Sequence, residues 1–467
     1  MSLTKILSNV CDQLQDHLVQ LAKALPSEGM SPAVFRDLIS GLKDGLNSAG
    51  RASLEAFILD QEEHSNIVDH GGKLHRFKSA GEKAWLTAFG PLRLSRRYFQ
   101  PDRGGEGVIP IDMHCGMKDR YMTPDLEEAC ALGASLLVPR EVEAFLKKVL
   151  PCAPSATAVD RVIKDVGGFV ESHTEEIEAV VREQAPLKTT GAMLVVSWDG
   201  VTVPLREEGK KMGRPSERPG QAPSGPCPTA WREAGVGTVS IYKHGTLDSR
   251  PERLDARYMA RMPEAGMKTL CAQVEGLVTD LRAERDFESV VVICDGKPSI
   301  WNRAENADCY EGATFILDFY HAAEHISHAA EAIFGKDSEE GKRWYSKYRA
   351  LLKEDCDGLG SLVRSLRYYA NKARRGSARH KTIQREARYF LKNKHRMNYA
   401  EFLLRGLPIG SGPVEAACKT VVGARLKRSG MRWNRNGGQR VLNMRIYHLS
   451  KRWDTFWDAY MDHRVAA

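Results

Sequence analysis

The sequence predicts an α/β protein, a mixed sheet core interrupted by an all-α insertion and preceded by a mostly helical region. Leu194-Val-Val-Ser-Trp-Asp-Gly200 is an apolar run that stops at a single carboxylate, and Val290-Val-Val-Ile-Cys-Asp-Gly296 repeats the design. Runs of four to six apolar residues ending in Asp-Gly read as central strands that carry an acid at the tip. From Asp318 to about Phe402 the periodicity is helical throughout, which breaks the α/β alternation and marks an inserted helical block.

A chain of 467 residues has room for roughly two to four domains. Lys and Arg total 68 against 60 acids, a formal net charge of +8, so the distribution of charge says more than its sum. No apolar run is long enough to span a bilayer, and Asp12 and Asp16 do not suit a secretory signal. The ten cysteines form no C-x-x-C pair, which argues against a Cys-rich zinc site and for a reduced, cytoplasmic protein.

Residues 1–80 read as an N-terminal helical region. Leu14, Leu18, Leu21 and Ala22 form one stripe, Phe35, Leu38, Ile39 and Leu42 another, which predicts a helical hairpin. Residues 81–185 follow as a β-hairpin and a helical block. The hairpin, over 84–99, turns at Gly90-Pro91 with Arg93, Arg96 and Arg97 facing outward. Helices are expected over 126–134, 139–150 and 155–166, the last N-capped by Ser155. Short helix, turn, short helix is the outline of a helix-turn-helix DNA reader, and equally of a structural bundle. A further helix reaches about Ala185, where Pro186 breaks it.

The core begins at 186 and runs to 320. Strand-like runs at 192–198, 201–205 and 235–242 read as an antiparallel meander around a Gly-, Pro- and charge-rich stretch, 206–229, expected to be a mobile loop. A long helix over 252–283, the strand 289–295, a helix over 298–306 and a short strand over 313–317 complete it. Three strands, then helix, strand, helix, strand, is the succession of a ribonuclease-H-like core. The helical insertion occupies 321–404, and the second part of the core, with a basic C-terminal helix, 405–467.

Asp199, Asp295 and Glu415 are the candidate catalytic and metal-binding residues. Short Asp side chains suit strand tips, and the longer Glu suits the helix opened by Leu407-Pro-Ile-Gly-Ser-Gly-Pro-Val-Glu415. Three such oxygen donors would hold two divalent cations roughly 3.5–4 Å apart, the arrangement that activates water or a 3′-hydroxyl against a phosphodiester. Taken singly, each Asp-Gly is a turn and Glu415 a first-turn acid favoured by the helix dipole. Their joint occurrence beside strong positive charge points to chemistry on DNA. Residues 371–398 carry ten Lys/Arg against one acid, Glu386, and no acid occurs from Ala416 to Trp453. Arg425, Lys427, Arg428 and Arg432 are the expected phosphate contacts, with Trp433 stacking on a base or sitting in the core.

These segments resemble the DDE transposases of bacterial insertion sequences, of the ISKra type within the Mutator-like group. The resemblance runs from about 190 to 450 through Ser-Trp-Asp199-Gly, Cys-Asp295-Gly with Trp301, Leu-Asp318-Phe-Tyr-His321, Gly410-Ser-Gly-Pro-Val-Glu415 and Met431-Arg-Trp433. It implies Mg²⁺ or Mn²⁺, two ions per site, held by Asp199, Asp295 and Glu415, and strand cleavage and transfer at element ends. It also implies partners: double-stranded DNA, as terminal inverted repeats and target, and a second copy in a homodimer near the nucleoid. Asp318 and His321 match the group's C/D-x-x-H signature and are expected to support the site. Relatives often place paired cysteines after the hairpin, where this chain has Gln100-Pro-Asp-Arg-Gly-Gly105.

Asp318, His321, His325 and His328 share one helix face. They could bind zinc, but no separate segment supplies a further ligand, so the reading preferred here has His325 and His328 lining the interior of the insertion. The rival functions are a structure-specific nuclease, a domesticated DNA-binding protein without catalysis, and a metal-dependent phosphatase.

Overall fold

A computed structural model describes residues 3–25, 29–102, 104–188, 192–206, 229–246 and 249–466. It divides into two compact units, one formed by 1–177 with 454–467 and the other by 178–453. The segment 207–228, most of the expected loop, lies outside the described residues.

In the first unit α1 (Leu3–Lys23) and α2 (Pro32–Asp60) form the expected hairpin. Gly41 and Gly45 let them approach closely: a Cβ there would meet Leu21 and His17, and the His17 ring bonds the Gly41 carbonyl at 2.8 Å. Strands β1 (Ile67–His70), β2 (Lys73–Thr87) and β3 (Gly90–Pro101) make an antiparallel sheet, its hairpin longer than the sequence indicated. Its arginines do not all face outward. Arg96 pairs with the buried Asp112, and Arg97 reaches the carbonyls of Glu63 and Ser65. Helices α3 (Pro110–His114), α4 (Pro124–Leu136), α5 (Pro139–Val149) and α6 (Ala156–Ser172) follow, and Ser155 caps α6 by accepting from the Ala158 N–H. The terminal helix belongs here rather than with the core, because Tyr460 packs edge-on against Phe169.

Helix α7 (Thr174–Gln184) leads to the second unit, a mixed α/β structure on a five-stranded sheet of order β6-β5-β4-β7-β8. Strands β4 (Met193–Arg206), β5 (Thr229–Lys243) and β6 (Glu252–Arg261) are antiparallel neighbours. Strand β7 (Ser289–Cys294) runs parallel to β4, and β8 (Thr314–Leu317) parallel to β7. Two expectations need correction. The runs 192–198 and 201–205 are one strand, because pairing with β5 continues past Asp199. The long helix expected from 252 starts only at Lys268, where α8 (Lys268–Glu284) begins; residues 252–261 are the edge strand β6.

One core cluster packs Leu270, Val274 and Leu277 of α8 with Val196 and Val239, and extends through Trp301 of α9 (Pro298–Ala304) into the insertion. That insertion comprises α10 (Phe319–Phe334), α11 (Glu339–Glu354), α12 (Gly358–Lys372), α13 (Ala378–Lys392) and α14 (Tyr399–Leu404). A second cluster joins Val203, Val236 and Ala260 of the sheet to Val414 and Ala417 of α15 (Gly412–Ala417) and Val421 of the π-helical turn Cys418–Gly423. Helices α16 (Ala424–Leu426), α17 (Arg435–Leu449) and α18 (Trp453–Ala466) complete the chain. No helix among the described residues is long and apolar enough to cross a membrane.

Candidate active site

Strand register places three carboxylates side by side. The parallel pairing of β4 with β7 ends at Val196↔Val292, and three residues beyond each lie Asp199 and Asp295. The pairing of β7 with β8 ends at Cys294↔Leu317, so Asp295 and Asp318 follow together, and the Asp318 N–H donates to the Cys294 carbonyl at 2.9 Å. Neighbouring strands lie about 4.8 Å apart, so these acids form a row just beyond the point where the parallel pairing ends.

Asp199 is half-buried, and its carboxyl is held above the usual value by burial first and by the charges of Asp295 and Glu233. Its Oδ1 accepts from the Gly200 N–H at 2.6 Å and its Oδ2 lies 3.7 Å from the Cys418 thiol. Burial and the Asp199 charge push that thiol upward in turn, so it stands as a protonated donor. Asp295 receives the Lys297 N–H at 3.0 Å, and its carbonyl accepts from the Trp301 indole at 2.7 Å, which fixes the turn after β7.

Glu415 arrives from α15. Cys418 follows three residues later, so the two share a helix face, and Cys418 is already against Asp199. The Glu415 carboxyl is likewise raised, by burial first and then by Asp318 and Asp199, with Lys419 opposing. Asp199 thus feels the charge of Asp295, and Glu415 feels those of Asp318 and Asp199.

Asp318 has a different task. It is 1% exposed, and its Oδ1 accepts from the His321 N–H at 2.7 Å, capping α10, while its Oδ2 accepts from the Ser411 N–H. The Phe319 N–H donates to Ile409 at 2.9 Å. Asp318 therefore clamps the turn from which Glu415 departs, with both oxygens occupied. The His321 ring faces Glu324, with Nδ1 3.4 Å from its carboxylate.

Two polar residues near the row were not legible in the sequence. Glu233 of β5 covers Gly200 and binds the Lys297 ammonium at 2.5 Å. Tyr389 of α13 stands over Gly296, where a Cβ would lie 2.6 Å from its hydroxyl, and that buried hydroxyl has no hydrogen-bond partner among the described residues. Burial and the charges of Asp295 and Asp318 keep it protonated. The Asp-Gly-Lys297 string was a visible signal for Lys297; nothing local marks Glu233 or Tyr389. An open cleft of about 420 Å³ adjoins the row, lined by Trp198, Glu233, Lys297, Arg303 and Arg435 among others.

The basic tail divides. Lys427, Arg428 and Arg432 are exposed. Arg425, expected at a phosphate, is instead 1% exposed, with its guanidinium 5.1 Å over the Trp433 ring. Trp433 is half-buried, pairs through its backbone with Pro204 and Arg206, and donates its indole N–H to Leu426 at 3.0 Å. That packing withdraws Arg425 from solvent.

Of the two histidines expected to line the interior of the insertion, His325 does so in part, stacked on Tyr389, and His328 does not. His328 is exposed, and the half-buried His325 bonds through Nδ1 to Glu386 at 2.5 Å. Burial alone would lift the Glu386 carboxyl, but the bonds from His325 and Arg385 outweigh it and hold the group below its usual value.

Compared with known proteins, the chain matches no family model and no curated protein.

Proposed function

We propose that the chain is a DDE-type transposase, a DNA-cutting and DNA-joining enzyme of an insertion sequence, built on a ribonuclease-H-like core. The observation that carries this reading is the level placement of Asp199 and Asp295 on adjacent parallel strands, with the charge of Asp199 felt by Glu415 on a helix beyond the insertion. The strand order, three antiparallel strands followed by two parallel ones, supports the core assignment.

The donor set fits a hard divalent cation. It consists of carboxylate oxygens; beyond burial, Asp199 is lifted by the charge of Asp295 and Glu415 by those of Asp318 and Asp199, repulsion that a bound dication relieves. Mg²⁺ or Mn²⁺ bound there would supply an activated water or 3′-hydroxyl and neutralise charge on the departing oxygen. The chain's own residues do the positioning. Asp318 holds the Ser411 turn from which the helix bearing Glu415 departs. Lys427, Arg428 and Arg432 offer exposed charge to phosphates of the inverted repeats or target. A homodimer acting on double-stranded DNA in the bacterial cytoplasm belongs to the same reading.

The test is Asp295→Asn with labelled duplex ends. Cutting should be lost while DNA binding persists, and retained cutting removes Asp295 from the chemistry. A pre-cut 3′-hydroxyl end separates transposase from nuclease, because only the transposase joins it to a target.

A further inference from the structure

We infer that the helical insertion carries a second metal site, formed by His325, His328 and Glu386 and suited to Zn²⁺ rather than Mg²⁺. Each residue offers a donor atom, and the three atoms lie within 4.8 Å of one another. His325 and His328 are three residues apart on α10, which sets both rings on one face. Glu386 comes from α13, which packs alongside, so the site is assembled from two helices 58 positions apart at its closest ligands. This inference does not depend on the acidic row or on its proposed reaction.

The placement of Glu386 is the second observation. It is the sole acid in the basic stretch 371–398, yet it is 1% exposed. Its helix neighbours Ile383, Ala387 and Phe390 are core residues. A carboxylate among apolar groups is costly unless it is paired or coordinates a metal. Arg385 takes Oε1 at 2.7 Å, which leaves Oε2 turned to His325. The exposed His328 completes the group from the solvent side and leaves a path for an ion to enter.

Two imidazoles with one carboxylate are borderline donors, the set found at zinc sites with an open fourth position. Bonds near 2.0–2.2 Å would draw the donors closer together than 4.8 Å, a movement the solvent-facing His328 ring can make. Binding would exchange the His325–Glu386 hydrogen bond for bonds to the ion and tie α10 to α13. Tyr389, three residues after Glu386, already stacks on His325 with ring centroids 3.6 Å apart. The site therefore also fixes the residue that stands over Gly296.

The experiment uses the full chain, stripped with chelator, with Asp199→Asn, Asp295→Asn and Glu415→Gln combined to silence the acidic row. Zn²⁺ titration should show uptake of one equivalent, a saturating rise in Tm, and the visible absorption of low-symmetry Co²⁺ when cobalt replaces zinc. Adding His328→Ala, at an exposed position that leaves the core intact, should weaken Zn²⁺ by more than the roughly 10–100-fold that loss of an outer-shell partner costs. Glu386→Gln should do the same, and His321→Ala should not. No uptake by the silenced chain, or uptake unchanged by both His328→Ala and Glu386→Gln, overturns the site.

Discussion

The Ser411 backbone N–H donates to the buried carboxylate of Asp318, 93 positions earlier in the chain. That bond ties the start of the insertion to its exit, so the helix bearing Glu415 leaves the core at a fixed place. Asp318→Ala removes this acceptor and the α10 cap together. We expect a loss of about 2 kcal/mol in urea denaturation. Binding of Mn²⁺ at the acidic row should weaken with it, through displacement of Glu415.

Repulsion at the row should be visible in the pH dependence of stability. Burial, with Asp295, holds the Asp199 carboxyl above its usual value, so the folded chain binds that proton more tightly than the unfolded one. Its contribution is complete below the unfolded value, about 3.9, and is lost as pH rises through the higher folded value. Asp199→Asn should flatten that decline and raise Tm at neutral pH, measured without divalent metal. A variant less stable than the parent at pH 7 would contradict the assignment.

Gly296 and Tyr389 should be energetically coupled. A Cβ at Gly296 meets the Tyr389 ring and hydroxyl at 2.6–2.7 Å. Gly296→Ala should cost about 1–3 kcal/mol by overpacking. The cost should shrink in a Tyr389→Ala background, giving an interaction energy of about 0.5–3 kcal/mol in a double-mutant cycle.

The four arginines and lysines of the tail should separate into two behaviours. Lys427→Ala, Arg428→Ala and Arg432→Ala should each weaken duplex binding for any sequence and reduce the salt slope by about 0.9 per lost phosphate contact. Arg425→Ala should instead lower stability by about 1–3 kcal/mol, since it is buried over Trp433. Equal effects of all four on the salt slope would show that Arg425 leaves its pocket.

Much of this site could be read from local pattern, and the rest required the fold. Asp199 and Asp295 each end an apolar run, and Gly410 to Glu415 is a turn opening a helix, so their residue types were visible one segment at a time. Residues 252–261 were misread because Glu, Arg, Leu, Ala and Met favour helix; pairing with β5 overrides that preference at the sheet edge. Arg425 was misplaced because a basic side chain in a basic tail gives no local sign that Trp433 will cover it. Glu386 stood out as a single acid among cations, but its histidine partners lie on another helix 58 or more positions earlier, a distance that periodicity does not bridge.

The wide turn at Cys418–Gly423, placed directly after the helix that bears Glu415, has a consequence for how the tail is aimed. Such a turn holds one residue more than a regular one, and each residue advances a helix by about 100°. Deleting a single residue there would restore an ordinary ladder and swing Lys427 and Arg428 round the axis relative to Glu415. The acid and the cations would each survive intact, facing different directions.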